Sequence, residues 1–347
     1  MADRNRLLGL DALRMLLALG VVFYHYLWSG PTKGVLPLEP IQALFYGRYA
    51  VPVFFILSGF VIARSMARRD WYSFSVARIA RLYPALLVCA TVTFMALLAS
   101  NKSFENAVSV YLGAISFFGI GFGNGQIDGS YWTLVYEWRF YAIVALLMAI
   151  GASRVLPLLI SALSLAGFLV EVGGISDLGI YIPLYPYAPF FAIGVLAALG
   201  LSAGWRPWIV GLIAFNVVSA GVALPGTIQE ILIDHVTQQS VFEGLVIAAV
   251  ALVIFAAFYV LTIPDSLASF VRLCGAMSYP LYLVHQVVGY RIIRLSDNLG
   301  ITPELGVVLA VVFCTGVAWV AAKLVEPRLT PVISNALTPQ RQQRRPA

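Results

Sequence analysis

Arg14 and His25 lie eleven residues apart inside an apolar run from Leu7 to Trp28. Eleven steps of an α-helix return a side chain to within about 20° of its starting direction, about 16 Å further along the axis. Asp11, three residues before Arg14, falls on the same stripe. Charged groups on a helix in lipid cost a few kcal/mol each, so this stripe must face protein or a water-filled cavity. An imidazole held there is a candidate general base, and a buried guanidinium is a candidate stabiliser of negative charge.

The remaining chemistry-bearing residues gather at predicted helix ends. Glu137 sits about six residues into a predicted helix and at a depth comparable to His25, where a carboxylate can hold an imidazole in one tautomer and stabilise its cation. The plainer readings are a polar residue satisfied between helices for His25, and an ion pair with Arg139 or Arg14 for Glu137. Arg78 and Arg81, three apart, form a fork suited to phosphate oxygens. Their neighbours Arg64, Arg68 and Arg69 read as topological charge. Glu326 ends the last apolar run at the same face, able to pair with either arginine or to orient a ligand. Ser278, Tyr282 and His285 share one helical face, either as a polar helix contact or as part of a cavity lining. Ser58, before Gly59, belongs to a close-packing segment and is a weaker candidate for lining the cavity.

The elements that must position these residues are membrane helices. Of 347 residues 61% are hydrophobic and 11% charged, and the mean hydropathy is +0.89; a soluble domain of this size does not have that balance. Ten spans are predicted, at residues 8–28, 43–65, 76–99, 131–150, 155–172, 183–200, 207–224, 241–262, 274–294 and 305–325. The fold class is an all-α integral membrane bundle with both termini cytoplasmic. It reads as one domain over 1–347, its core 8–327 and its tail 328–347 basic.

With an inside N-terminus, fifteen of the 22 Lys and Arg fall on the inner side, the tail's Arg341, Arg344 and Arg345 included. Five fall outside: Lys33, Arg48, Lys102, Arg291 and Arg294. The net charge of +6 therefore reads as topogenic bias and attraction to lipid headgroups, not as a nucleic-acid surface. Residues 108–122 are too short for a span and read as re-entrant or interfacial. The first run is retained, not a cleaved signal peptide, since it is long and carries Asp11, Arg14 and His25. Cys89, Cys274 and Cys314 all fall inside spans, a packing pattern with no disulfide framework. Three histidines, one of them His235 in a predicted outer loop, leave no metal site.

Several motifs, in order, resemble the acyltransferase-3 family of bacterial multi-pass membrane O-acyltransferases. They are Leu10-Asp11-Ala12-Leu13-Arg14 with His25, Val53 to Phe60, Arg78-Ile79-Ala80-Arg81-Leu82-Tyr83-Pro84, Tyr131 to Glu137 running on to Phe140-Tyr141, Ser278 to His285, and Glu326-Pro327. The resemblance runs from Leu8 to Pro327 and implies transfer of an acyl group, usually acetyl from acetyl-CoA as donor substrate, with no bound cofactor. The acceptor it implies is a sugar hydroxyl of a cell-envelope or secreted carbohydrate or glycolipid, and the place is the bacterial inner membrane. It maps an essential pair to Arg14 and His25; Glu137 orienting the imidazole is the reading of the residues themselves, and holds if the two helices adjoin. It maps the CoA phosphates to Arg78 and Arg81. Beside these mapped residues, Asp11, Ser58, Tyr136, His285 and Glu326 are candidates, read from the sequence itself, for lining the substrate and donor site.

In that scheme His25 acts as base on the acceptor or transiently carries the acyl group. Arg14 is a stabiliser of thioester charge only if a relay or helix break closes its 16 Å axial gap to His25. Larger relatives carry an esterase-like soluble domain after the last span. None is expected here, so the acceptor is acylated directly or through a separate periplasmic partner. The rival class is a polytopic transporter of a small anion or lipid-linked sugar, which the charged stripe and inner arginines would also suit.

Overall fold

The computed structural model describes residues 2–66, 68–99, 103–116, 126–231 and 240–338, with side chains from 7 onward and none over 225–231. His235, Lys102, the tail arginines and residues 117–122 of the expected re-entrant segment lie outside the described residues. Among the described residues every regular element is helical. Twelve α-helices of three turns or more follow one another: α1 (Ala2–Tyr24), α2 (Ala50–Met66), α3 (Trp71–Leu98), α4 (Phe104–Ile115), α5 (Trp132–Ala149), α6 (Leu156–Val172), α7 (Ala188–Ala203), α8 (Pro207–Ile231), α9 (Val241–Val260), α10 (Ala268–Asn298), α11 (Pro303–Val320) and α12 (Glu326–Leu337).

Eight described helical segments are long and apolar enough to cross a membrane, and they coincide with eight of the predicted spans. The other two predicted spans are also helices. α5 is the one that carries Glu137 and Arg139, and α7 is apolar but only 16 residues long. α10 is longer than the predicted 274–294: its 31 residues begin at Ala268 and end at Asn298. α3 begins with Asp70 accepting from Ser73 N at 2.9 Å and from Ser73 Oγ at 2.9 Å. That backbone N–H holds the Asp70 carboxyl below the usual carboxylate range.

The chain forms two compact units interleaved in sequence: Met1–Ala50, Val76–Val135 and Leu261–Ala347 in the first, Val51–Ser75 and Tyr136–Val260 in the second. In the first unit α10 packs along α11 and along α1. Small residues make this possible: a Cβ at Gly275 would lie 2.5 Å from Asp11 Cβ, and one at Gly289 would run into the Tyr26 ring. α3 meets α10 where Cys89 Sγ donates to Pro280 O at 3.3 Å. Cys89, Cys274 and Cys314 are free thiols.

In the second unit α8 lies against α9 and α7. The α6–α8 contact carries a polar ladder, with Ser164 Oγ donating to Ser219 Oγ at 2.9 Å and Asn216 Nδ2 to Ser161 Oγ at 3.2 Å. Such bonds hold helices together where lipid supplies no hydrophobic drive. α2 crosses α7 with Gly59 against the Phe191 carbonyl and Gly194 against the Ile56 carbonyl.

Candidate active site

Two histidines 260 residues apart meet in the first unit. His285 Nε2 lies 3.0 Å from His25 Nδ1, with ring centroids 4.9 Å apart. His285 Nδ1 also lies 2.7 Å from Tyr282 O, and His25 Nδ1 3.0 Å from Val21 O. A carbonyl oxygen only accepts, so in the neutral pair each Nδ1 carries the proton. His285 Nε2 then accepts from His25, whose Nδ1–H is shared between Val21 O and that nitrogen. What remains is a lone pair on His25 Nε2. This is the arrangement of a base whose tautomer is fixed from behind.

The backbone around His25 is unusual. α1 gives way at His25 to a π-helical turn over His25–Ser29, in which Gly30 N bonds to His25 O. One extra residue per turn bulges the backbone outward, a device that recurs at functional sites. The His25 carbonyl also accepts from Tyr290 Oη at 3.2 Å, and Tyr26 Oη donates to His285 O at 2.7 Å. Each helix thus grips the other's histidine by its main chain.

One residue of this assembly escaped the sequence reading. Asp128 is 1% exposed and its Oδ1 accepts from Ser130 N at 2.9 Å and Ser130 Oγ at 2.8 Å. Its Oδ2 accepts from Val287 N at 2.8 Å, two residues beyond His285. Tyr282 Oη, one turn before His285, donates to Ser130 O at 3.2 Å, and Thr133 Oγ1 adds a 3.1 Å bond to Tyr282 Oη. The turn before α5 is therefore stitched to α10 on both sides of His285. The available signal was an Asp-Gly-Ser turn directly before an aromatic motif, which reads as an ordinary helix start.

The far end of the first unit holds the other predicted pairs. Asp11 Oδ1 and Arg14 Nη1 are 3.0 Å apart, as the helical spacing requires. α1 is unbroken from Arg14 to Tyr24, so Arg14 stays about 16 Å from His25 along the axis. The helix break that would bring it to the same centre is absent. Glu326 pairs with Arg81, which decides between the two arginines it was expected to choose from. Glu326 is 6% exposed, and its Oε1 has no hydrogen-bond partner among the described residues. It too follows a π-helical turn, Ala321–Val325. Arg78 is half-buried, one turn before the exposed Arg81.

Ser58, Tyr136 and Glu137 belong to the second unit. Ser58 Oγ is buried with no hydrogen-bond partner among the described residues. Tyr136 packs on Tyr187 at 4.9 Å and Phe55 at 6.1 Å between ring centroids, with the Arg139 guanidinium 5.8 Å from its ring. Ser278, expected on one face with Tyr282 and His285, spends its hydroxyl on Gly275 O at 2.8 Å.

The profile of the acyltransferase-3 family, an acyltransferase domain, matches residues 7–323, which takes in the histidine pair and the Arg78/Arg81 fork. The chain belongs to this family. It is also similar to an O-acetyl transferase of Shigella phage Sf6, 28% identical over 229 residues, 60% of this chain and 66% of that protein. The chain thus spans just under two thirds of that relative's length. No solved structure matches. Nine of the ten residues singled out in the sequence as site candidates lie inside the family's matched range; Glu326 lies just beyond it.

Proposed function

We propose that this acyltransferase-3 protein is a multi-pass O-acyltransferase of the bacterial cytoplasmic membrane. It moves acetyl from acetyl-CoA to a sugar hydroxyl of a cell-envelope or secreted carbohydrate. The observation that carries the reading is the His25–His285 pair inside a chain of this family: an imidazole with a free Nε2 and a fixed tautomer. The similarity to a phage O-acetyl transferase supports acetyl as the group and oxygen as the acceptor atom.

In this reading His25 Nε2 takes the proton of the acceptor hydroxyl while its oxygen bonds to the thioester carbonyl carbon. As the tetrahedral adduct collapses, the C–S bond breaks and the imidazolium returns the proton to the CoA sulfur. His285 keeps its Nε2 lone pair on the Nδ1–H of His25 throughout and so favours the imidazolium that forms. Arg78 and Arg81 hold CoA phosphates at the cytoplasmic end, where guanidinium forks match phosphate oxygens. The long pantetheine arm lets the thioester reach His25 from there. Asp11 and Arg14 form a polar ion pair along that path.

The topology that accompanies the reading is ten spans in one integral domain, α5 and α7 joining the eight longer ones, with both termini cytoplasmic. Ser58, Tyr136 and Glu137 enter through the motifs they sit in. The acceptor is acylated directly or through a separate periplasmic partner.

Mass spectrometry of envelope glycans and secreted sugars, with and without the gene, tests this. Loss of acetyl increments on an otherwise intact glycan is the expected result. Loss of the whole glycan, or of an exported solute, would favour a transporter instead.

A further inference from the structure

The end of the first unit that carries His25 also collects cations. Lys33 follows α1, Arg48 lies in the 3-10 stretch Gln42–Tyr49, and Arg291 and Arg294 lie in the last turns of α10. These are four of the five Lys and Arg expected on the outer side. Arg294 Nε donates to Val35 O at 2.7 Å, which ties the end of α10 to the loop after Lys33. The 3-10 stretch sits on α1, where a Cβ on Gly47 would lie 2.9 Å from Tyr24 Cβ. The Tyr24 ring in turn stands edge-on to His25 with centroids 4.9 Å apart. Arg48 is thus two packing steps from the imidazole.

The Arg48 guanidinium carbon lies 5.2 Å from the Phe45 centroid and 5.8 Å from that of Tyr49. Its Nη1 is buried with no hydrogen-bond partner among the described residues. No carboxylate of the described residues forms a salt bridge with Lys33, Arg48, Arg291 or Arg294. The Lys33 ammonium is held below the usual lysine range, by burial first and by the Arg48 guanidinium second. Folding has stranded a buried guanidinium donor at an end of the unit rich in cations, a cost that a bound oxyanion removes. Tyr46, 64% exposed, belongs to the same stretch, and Trp28 meets Phe45 at 5.0 Å. Aromatic faces of this kind suit the C–H faces of a sugar ring.

We propose that Arg48 and Lys33 bind an anionic group, phosphate or carboxylate, on the carbohydrate acceptor, so that the acceptor is an acidic sugar whose neutral hydroxyl reaches His25. The word acceptor rests on the acyltransferase reading; the oxyanion site does not.

The test is calorimetric titration of the full-length protein in neutral detergent, with CoA saturating so that phosphate sites for the donor are filled. The probes are glucose 1-phosphate, glucuronic acid and methyl glucoside. At least one anionic sugar should bind tenfold or more tighter than methyl glucoside. Arg48→Gln should lose that preference tenfold or more while melting no lower than wild type. Lys33→Gln should weaken it in the same direction. Equal binding of charged and neutral sugars, or an Arg48→Gln protein that binds like wild type, would overturn the proposal.

Repeating the titration in phosphatidylcholine and in phosphatidylglycerol nanodiscs separates the two sources of oxyanion. Binding that survives phosphatidylglycerol supports an acceptor site. Arg48-dependent loss of sugar binding in phosphatidylglycerol makes the patch a lipid-headgroup site and overturns the acceptor assignment. Arg48-dependent sugar binding without any acetyl transfer would support the oxyanion site and count against the acyltransferase reading alone.

Discussion

His285 Nε2 accepts the Nδ1–H of His25 across 3.0 Å, and both rings set Nδ1 against a carbonyl of their own helix. The consequence is chemical: neither ring is free to turn its proton to the far side, and the nitrogen of His25 left with a lone pair is Nε2. In the proposed mechanism His285 is a positioning residue, and its worth is readable by what replaces it.

His285→Gln leaves a side-chain oxygen able to accept from His25, so kcat should fall by about tenfold or less. His285→Leu removes the acceptor and should lower kcat by about a hundredfold, within the range general-base catalysis supplies. The KM for acetyl-CoA should stay within a factor of about three in both, because the loss falls on the chemical step. Steady-state kinetics on purified protein reads the split. Equal losses for Gln and Leu would make His285 a packing residue.

Asp128→Asn should cost stability and rate together. Asparagine presents an N–H to a site where Ser130 N, Ser130 Oγ and Val287 N all donate. One buried donor is then unpaired, at about 1–3 kcal/mol. The thermal unfolding temperature in detergent should drop, and Asp128→Glu should not rescue it, because a further methylene overpacks a site that is 1% exposed. An Asn variant as stable and active as wild type would remove Asp128 from the scaffold.

The pair of Arg81 and Glu326 should respond asymmetrically. Glu326 is buried and Arg81 is exposed. Arg81→Met leaves a buried carboxylate uncompensated, a loss of about 3 kcal/mol. Glu326→Gln leaves a guanidinium that water can reach and should cost about 1 kcal/mol. The double variant should melt above Arg81→Met alone. Additive losses in that double-mutant cycle would show that the two side chains do not support each other.

How much of this could be read from the sequence depended on distance along the chain. The Asp11–Arg14 pair follows from helical spacing, and eight spans follow from length and apolarity alone. The pairing of Glu326 with Arg81 was one of two options the spacing left open. The contact of His25 with His285 crosses 260 residues, and no periodicity relates two helices that far apart. Both π-helical turns, at His25 and before Glu326, need a single extra residue that no composition signal marks. Asp128 was hidden because its role is made by the partner it meets, the Val287 amide, and not by its neighbours in sequence. The interleaving of two units was equally invisible, since α2, α3 and α5 each cross a boundary inside an apolar run.

Glu137→Gln separates charge from shape at the one carboxylate the motifs bring to the second unit. If the charge supports an imidazolium formed in turnover, kcat should fall tenfold or more while acetyl-CoA binding, measured directly, is unchanged. A Gln variant with wild-type kcat, beside an Ala variant that fails to fold, would make Glu137 structural.

The central claim, that His25 Nε2 is the base of an acyl transfer, is tested most directly by one rate. Purified wild type and His25→Ala are given labelled acetyl-CoA and an envelope-glycan fraction from cells lacking the gene, and label in the glycan is counted. His25→Ala removes a polar group from a span, so insertion and folding should hold. The account predicts transfer lower by about 10²–10⁴, the usual worth of a positioned base. Transfer by His25→Ala at the wild-type rate would contradict it.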